Sequence, residues 1–157
     1  MLSTPDTNAP AACRSGVQRS AWFARLAFAA VFVVNVQCAV QFVLWPEAYT
    51  SGFELAGVPG ATAVRGLGIA FLMWNATYHA VIASPARFRA LGVVVLAQQA
   101  IGLAGESWIR LSLPAGHEAL AASIDRFVVF DAAGLALMGV AFAWLLVADR
   151  RARHAAP

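Results

Sequence analysis

Four long apolar runs, residues 21–45, 61–83, 90–109 and 127–148, take up most of this chain of 157 residues. A helix needs roughly 20 mainly apolar residues, rising about 1.5 Å each, to cross a bilayer's hydrocarbon core, and every run meets that. Backbone polar groups in hydrocarbon must be satisfied within the segment, so each run is expected to be helical. The composition agrees: 61% of residues are hydrophobic and 12% charged, about half the charged share of an ordinary soluble domain. The sequence therefore predicts an all-α, antiparallel four-helix transmembrane bundle in one domain, residues 21–148. A disordered cytoplasmic tail is expected over 1–20 and a basic cytoplasmic tail, anchored at the lipid headgroups, over 149–157.

Arginine distribution orients the bundle. All eleven basic residues are Arg. With both termini cytoplasmic, that side carries Arg14, Arg19, Arg25, Arg87, Arg89, Arg150, Arg151 and Arg153. The other side carries Arg65, Arg110 and Arg126. Eight against three is the excess expected of cytoplasmic segments. The first run is too long for a signal peptide and lacks a small-residue cleavage site after it, so it reads as a retained span. The expected location is a bacterial inner membrane. The first loop, 46–60, holds Pro46, Gly52, Gly57, Pro59 and Gly60, all turn formers, and the stretch 110–126 reads as a second loop.

Several functions are excluded by what is missing. The basic residues form no long stripe, so no nucleic-acid partner is expected. Cys13 and Cys38 form no close pair or C-x-x-C motif, which argues against a structural disulfide or a dithiol centre. No P-loop, GxGxxG or Ser-His-Asp arrangement is present. His79 lies near one end of the second span, while His117 and His154 fall elsewhere, so haem or metal ligation is not expected and no cofactor is assigned. The five tryptophans lie mostly near span ends, as an aromatic belt would place them.

The chemistry rests on charges inside the runs. Arg65, Glu106 and Asp131 each lie three or four residues from the outer end of their own span, roughly 5–6 Å deep. At about 100° per residue, Arg65, Gly68, Leu72, Asn75 and His79 share one arc of the second helix. Gln99, Gly102, Glu106 and Arg110 share one on the third. Asp131 has only Gly134, Leu135, Met138 and Phe142 on its stripe, so its partner must come from another helix or from Arg126.

Two readings compete. One is a salt-bridge network joining the helices, Arg65 with Glu106 and Arg126 or Arg110 with Asp131. The other is an outward-facing polar pocket. Buried ion pairs contribute little net stability, and ionisable groups within a membrane are a functional-site hypothesis by default. The pocket reading assigns ligand binding to Arg65, Glu106, Asp131, Asn75 and Gln99.

The segments "GFELAGVPGATAVRGLGIAFLMW", "AVRGLGIAFLMWNATYH" and "QQAIGLAGE" give the chain a resemblance to the DoxX-like small bacterial membrane proteins. The similarity covers helices one to three and implies four helices with a Gly-x-Pro turn before the second. That group includes accessory subunits of quinone-linked oxidoreductases. Its thiol-redox branches are a poor match, because this chain has no cysteine pair. The expected function is an accessory membrane protein binding a small amphiphile, a lipid or quinone, in the polar pocket, with membrane lipids and membrane-complex subunits as partners. The alternatives are a membrane enzyme using Glu106 or Asp131 as general acid or base on a lipophilic substrate, and a purely structural subunit.

Overall fold

A computed structural model describes residues 9–154, with side chains from residue 15 onward. The elements are α1 (Ala9–Leu44), α2 (Gly57–Asn75), α3 (Tyr78–Ala83), α4 (Arg89–Ser112) and α5 (Glu118–His154). Two 3₁₀ turns, Pro46–Ala48 and Thr50–Phe53, lie between α1 and α2. There is no strand among the described residues. Four helical stretches are long and apolar enough to cross a membrane, the make-up of a multi-pass membrane protein. The second of these runs Gly57–Ala83, combining α2 and α3.

The helices outrun the apolar segments that nucleate them. Residues 9–20, expected to be disordered, already belong to α1, while 1–8 of that expected tail lie outside the described residues. The stretch 110–126, expected as a loop, is mostly helix, and only 113–117 separate α4 from α5. Gly116 takes φ 94° in that turn, a left-handed conformation that glycine adopts without steric cost. Glu54 from the first connection supplies a cap. Its Oε1 accepts the Leu120 N–H at 3.2 Å, one of the donors a helix start leaves without an intrahelical partner. The last helix likewise continues through His154, so the expected basic tail is helical to that point, and 155–157 lie outside the described residues.

The join between α2 and α3 has a local cause. The Asn75 side chain donates to Phe71 O at 2.8 Å. The Thr77 hydroxyl reaches Trp74 O at 3.0 Å, the carbonyl that the Tyr78 N–H would otherwise use. Side chains competing for backbone carbonyls weaken a helix. Here the chain passes through one tight turn, Ala76 N–H to Met73 O at 3.2 Å and Thr77 N–H to Trp74 O at 3.5 Å. The Ala76 backbone stays right-handed, so the helix direction carries on.

The packing is uneven along the bundle. α1 packs against α2, α3 and α5, and α4 packs against α3 and α5, whereas α2 and α4 are not a close pair. The α1–α2 crossing is tight at Gly68, where a Cβ would stand 2.8 Å from Ala39 O. One half of the bundle is filled by Phe28, Val31, Tyr78, Val81, Val95, Met138, Phe142 and Leu145, all buried. That end is tied by Arg25 Nη2 donating to Ala83 O at 2.8 Å and by Asp149, which pairs with Arg89 and Arg153. At the other end, called here the loop end, Glu54 pairs with His117 and the Tyr49 hydroxyl donates to Gln41 Oε1 at 2.8 Å.

Candidate ligand-binding cavity

Because α3 meets α4 but α2 does not pack closely on it, the bundle opens toward the loop end. The space left there is a cavity of about 530 Å³, within the range of small-molecule sites, about 300–1,000 Å³. Its walls are aromatic. Phe42 on α1, Phe71 on α2, Phe127 on α5, Tyr49 between the two 3₁₀ turns and Phe53 in the second all line it. Neighbouring rings in this set lie 4.9–6.3 Å apart between centroids, spacings typical of edge-to-face and offset pairs. The turns act as a cover, with Ala48, Ser51 and Gly52 also facing the space.

The cavity's polar lining comes from all four long helices, Asn35 on α1 among them. Gln99 on α4 uses both ends of its amide. Its Nε2 donates to Asp131 Oδ1 at 2.8 Å, and its Oε1 accepts from the Tyr78 hydroxyl at 3.1 Å. All three residues are buried, and Gln99 is only 1% exposed. The space for this chain is made by glycine: a Cβ at Gly102 would stand 2.7 Å from Asp131 Oδ2 and 3.0 Å from the Trp74 ring. Beside it lie three buried polar atoms without a hydrogen-bond partner, Trp74 Nε1, Asn75 Oδ1 and Glu106 Oε2. All three residues line the cavity. A buried polar group left unsatisfied costs about 1–3 kcal/mol, so three around one void call for a physical explanation.

Four of the five residues expected to bind ligand, Glu106, Asp131, Asn75 and Gln99, line this one cavity. Arg65 does not. It is exposed, and its Nε donates to Val43 O at 3.1 Å, in the last turn of α1. That turn has no basic residue of its own, and a helix C-terminus carries unsatisfied carbonyls and partial negative charge. Arg65 therefore serves as the cation that α1 lacks. The Arg65–Glu106 pair of the salt-bridge reading is absent among the described residues.

The other expected ion pair is also replaced. Arg110 pairs with Asp125 at 2.7 Å, and the partner of Asp131 is Gln99. Arg126 lines the cavity, but its Nε donates to Ala122 O in its own helix. Among the described residues neither Glu106 nor Asp131 takes part in an ion pair. His79 is exposed, packs its ring edge-on against Phe32 at 4.8 Å and approaches Ala76 O. No three metal-ligating side chains cluster among the described residues.

Sequence reasoning missed Trp74 and the phenylalanine walls. Trp22, Trp45, Trp108 and Trp144 are exposed, as a belt requires, but Trp74 is half-buried and turned to the cavity. Its signal was the spacing Phe71, Trp74, Asn75, Tyr78, an i, i+3, i+4, i+7 stripe. Comparisons of this chain with protein-family models, curated proteins and solved structures give no match.

Proposed function

We propose that this chain is a cell-membrane protein, of the bacterial inner-membrane type, that binds one small amphiphile in the cavity at the loop end. The reading takes the four spans as antiparallel, with both termini cytoplasmic and the cavity facing outward. The observation that carries it is the convergence of three partnerless buried polar atoms, on Trp74, Asn75 and Glu106, on one aromatic-walled void. Donors on a ligand's polar head would satisfy the Asn75 and Glu106 oxygens, and its apolar body would lie against Phe42, Phe71 and Phe127. An accessory role, presenting or storing a lipid or quinone beside a larger membrane complex, fits a chain whose polar groups are arranged for holding. The likeness to DoxX-like proteins belongs to this same proposal.

The test is native mass spectrometry of the protein released from mild detergent, wild type beside Gly102→Val. The larger side chain would enter the space between Asp131 and Trp74. The wild type should carry one small amphiphile per chain and the variant none. Equal ligand content in both, or none in either, would overturn the assignment of the cavity.

A further inference from the structure

The balance of polar atoms around the cavity bears on what kind of head it takes. Two of the three partnerless atoms, Asn75 Oδ1 and Glu106 Oε2, are acceptors. Asn75 is 3% exposed, and its amide nitrogen donates to Phe71 O, whereas its carbonyl oxygen has no partner. The Gln99 amide is spent on Tyr78 and Asp131, so it offers an incoming head little. Two carboxylates, Glu106 and Asp131, face the space with no ion pair to any described residue. The one cation on the lining, Arg126, is exposed and bonded to its own helix. What the cavity lacks is a group with several hydrogen-bond donors and a positive charge.

Resting on the amphiphile-binding reading above, we infer that the ligand's head is a protonated amine, seated between the Glu106 and Asp131 carboxylates with an N–H to Asn75 Oδ1. An ammonium has three donors and no acceptor, which matches two carboxylates and one carbonyl. The aromatic walls are left for the apolar body that carries this head. An anionic head would meet two carboxylates at close range. A neutral carbonyl head would leave Asn75 and Glu106 without donors. The chemistry is shared by two sources, an ethanolamine-type lipid headgroup and a free lipophilic amine.

The test uses the full chain in phosphatidylcholine nanodiscs at pH 7, with Trp22, Trp45, Trp108 and Trp144 changed to Phe so that Trp74 alone reports. The probes are hexylamine, hexanol and hexanoate, equal in chain length and differing in head charge. Hexylamine should shift Trp74 emission saturably, at a concentration at least tenfold below that for hexanol, and hexanoate should give no saturable response. Glu106→Gln should bring hexylamine to within threefold of hexanol. The wild-type ranking alone is decisive should that variant fail to fold. Hexanol or hexanoate binding as tightly as hexylamine would overturn the amine head while leaving the amphiphile site standing, and no saturable response to any probe would overturn both. Repeating the titration in phosphatidylethanolamine nanodiscs distinguishes the sources. Tenfold weaker hexylamine binding there means the lipid headgroup is the occupant. Unchanged binding means a free amine.

Discussion

The two halves of this bundle are built from the same four spans and solve opposite problems. In one, Phe28, Val81, Val95, Met138, Phe142 and Leu145 form a buried apolar core. In the other, Phe42, Phe71 and Phe127 surround a void edged by Asn75, Glu106 and Asp131. Between lipid-facing helices the hydrophobic effect contributes little, and van der Waals fit carries association. The filled half therefore holds the helices together. The cavity half keeps unsatisfied polar atoms that cost stability, the pattern of a region shaped for use and supported from elsewhere. Tyr78 joins the two, with its ring in the packed core and its hydroxyl on Gln99.

The largest effect expected from this contrast is in the filled half. Phe142→Ala should destabilise the protein by about 3–5 kcal/mol, as large-to-small changes in a packed core do, and lower its melting temperature in detergent sharply. A loss no larger than that of an exposed control such as Val129→Ala would mean that this half is not the framework. At the boundary, Gln99→Leu strips partners from the Tyr78 hydroxyl and from Asp131 Oδ1. A cost of about 1–3 kcal/mol is expected, with faster hydrogen exchange in α3 and the middle of α5.

How far the sequence carried depends on the kind of residue. The spans were legible because length and apolarity alone define them. The inward stripes of α4 and α5 were legible because Gln99, Gly102, Glu106 and Asp131 are polar or small in an apolar background. On α2 the same reasoning centred the stripe wrongly. Gly68 and Asn75 do face inward, but Arg65, Leu72 and His79 are exposed, and the true inner face runs through Val64, Gly68, Phe71, Asn75 and Tyr78. Polarity alone does not mark the interior, since Arg65 serves the end of α1. The phenylalanine walls carried no signal, since Phe in an apolar run can face lipid or ligand. The Glu54–His117 contact joins residues 63 apart in the chain, and no local pattern encodes it.

Smaller effects sharpen the same contrast. With Arg65 and Glu106 in separate settings, Arg65→Ala and Glu106→Ala should be additive within about 0.5 kcal/mol. Arg65→Ala alone should cost about 0.3–1 kcal/mol through the loss of a cation at a helix C-terminus. A coupling well beyond that limit would return the two residues to one network. The smallest effect concerns the cover over the cavity. The hydrogen bond from His117, then that from the Leu120 N–H, holds the Glu54 carboxyl below the ordinary glutamate range. A lowered value means the contact contributes stability above about pH 4.3, the unperturbed glutamate value, and loses it as pH falls through the lower folded value. Protection factors for hydrogen exchange over 46–56, taken against the intrinsic rate at each pH, should therefore fall in acid. In Glu54→Gln they should be lower already at neutral pH and should lack that acid-dependent step.

The central claim is that the loop-end half exists to hold a ligand at the expense of stability, and Glu106→Leu tests it most directly. Burying a carboxylate without an ion-pair partner costs stability, so an apolar side chain of similar size in its place removes that cost. Melting temperature and bound-ligand content, measured side by side on this variant and the wild type, should move apart. Melting should be unchanged or higher, and the ligand should be lost. A variant that melts markedly lower and keeps the wild-type ligand content would contradict the account and make Glu106 a structural tie.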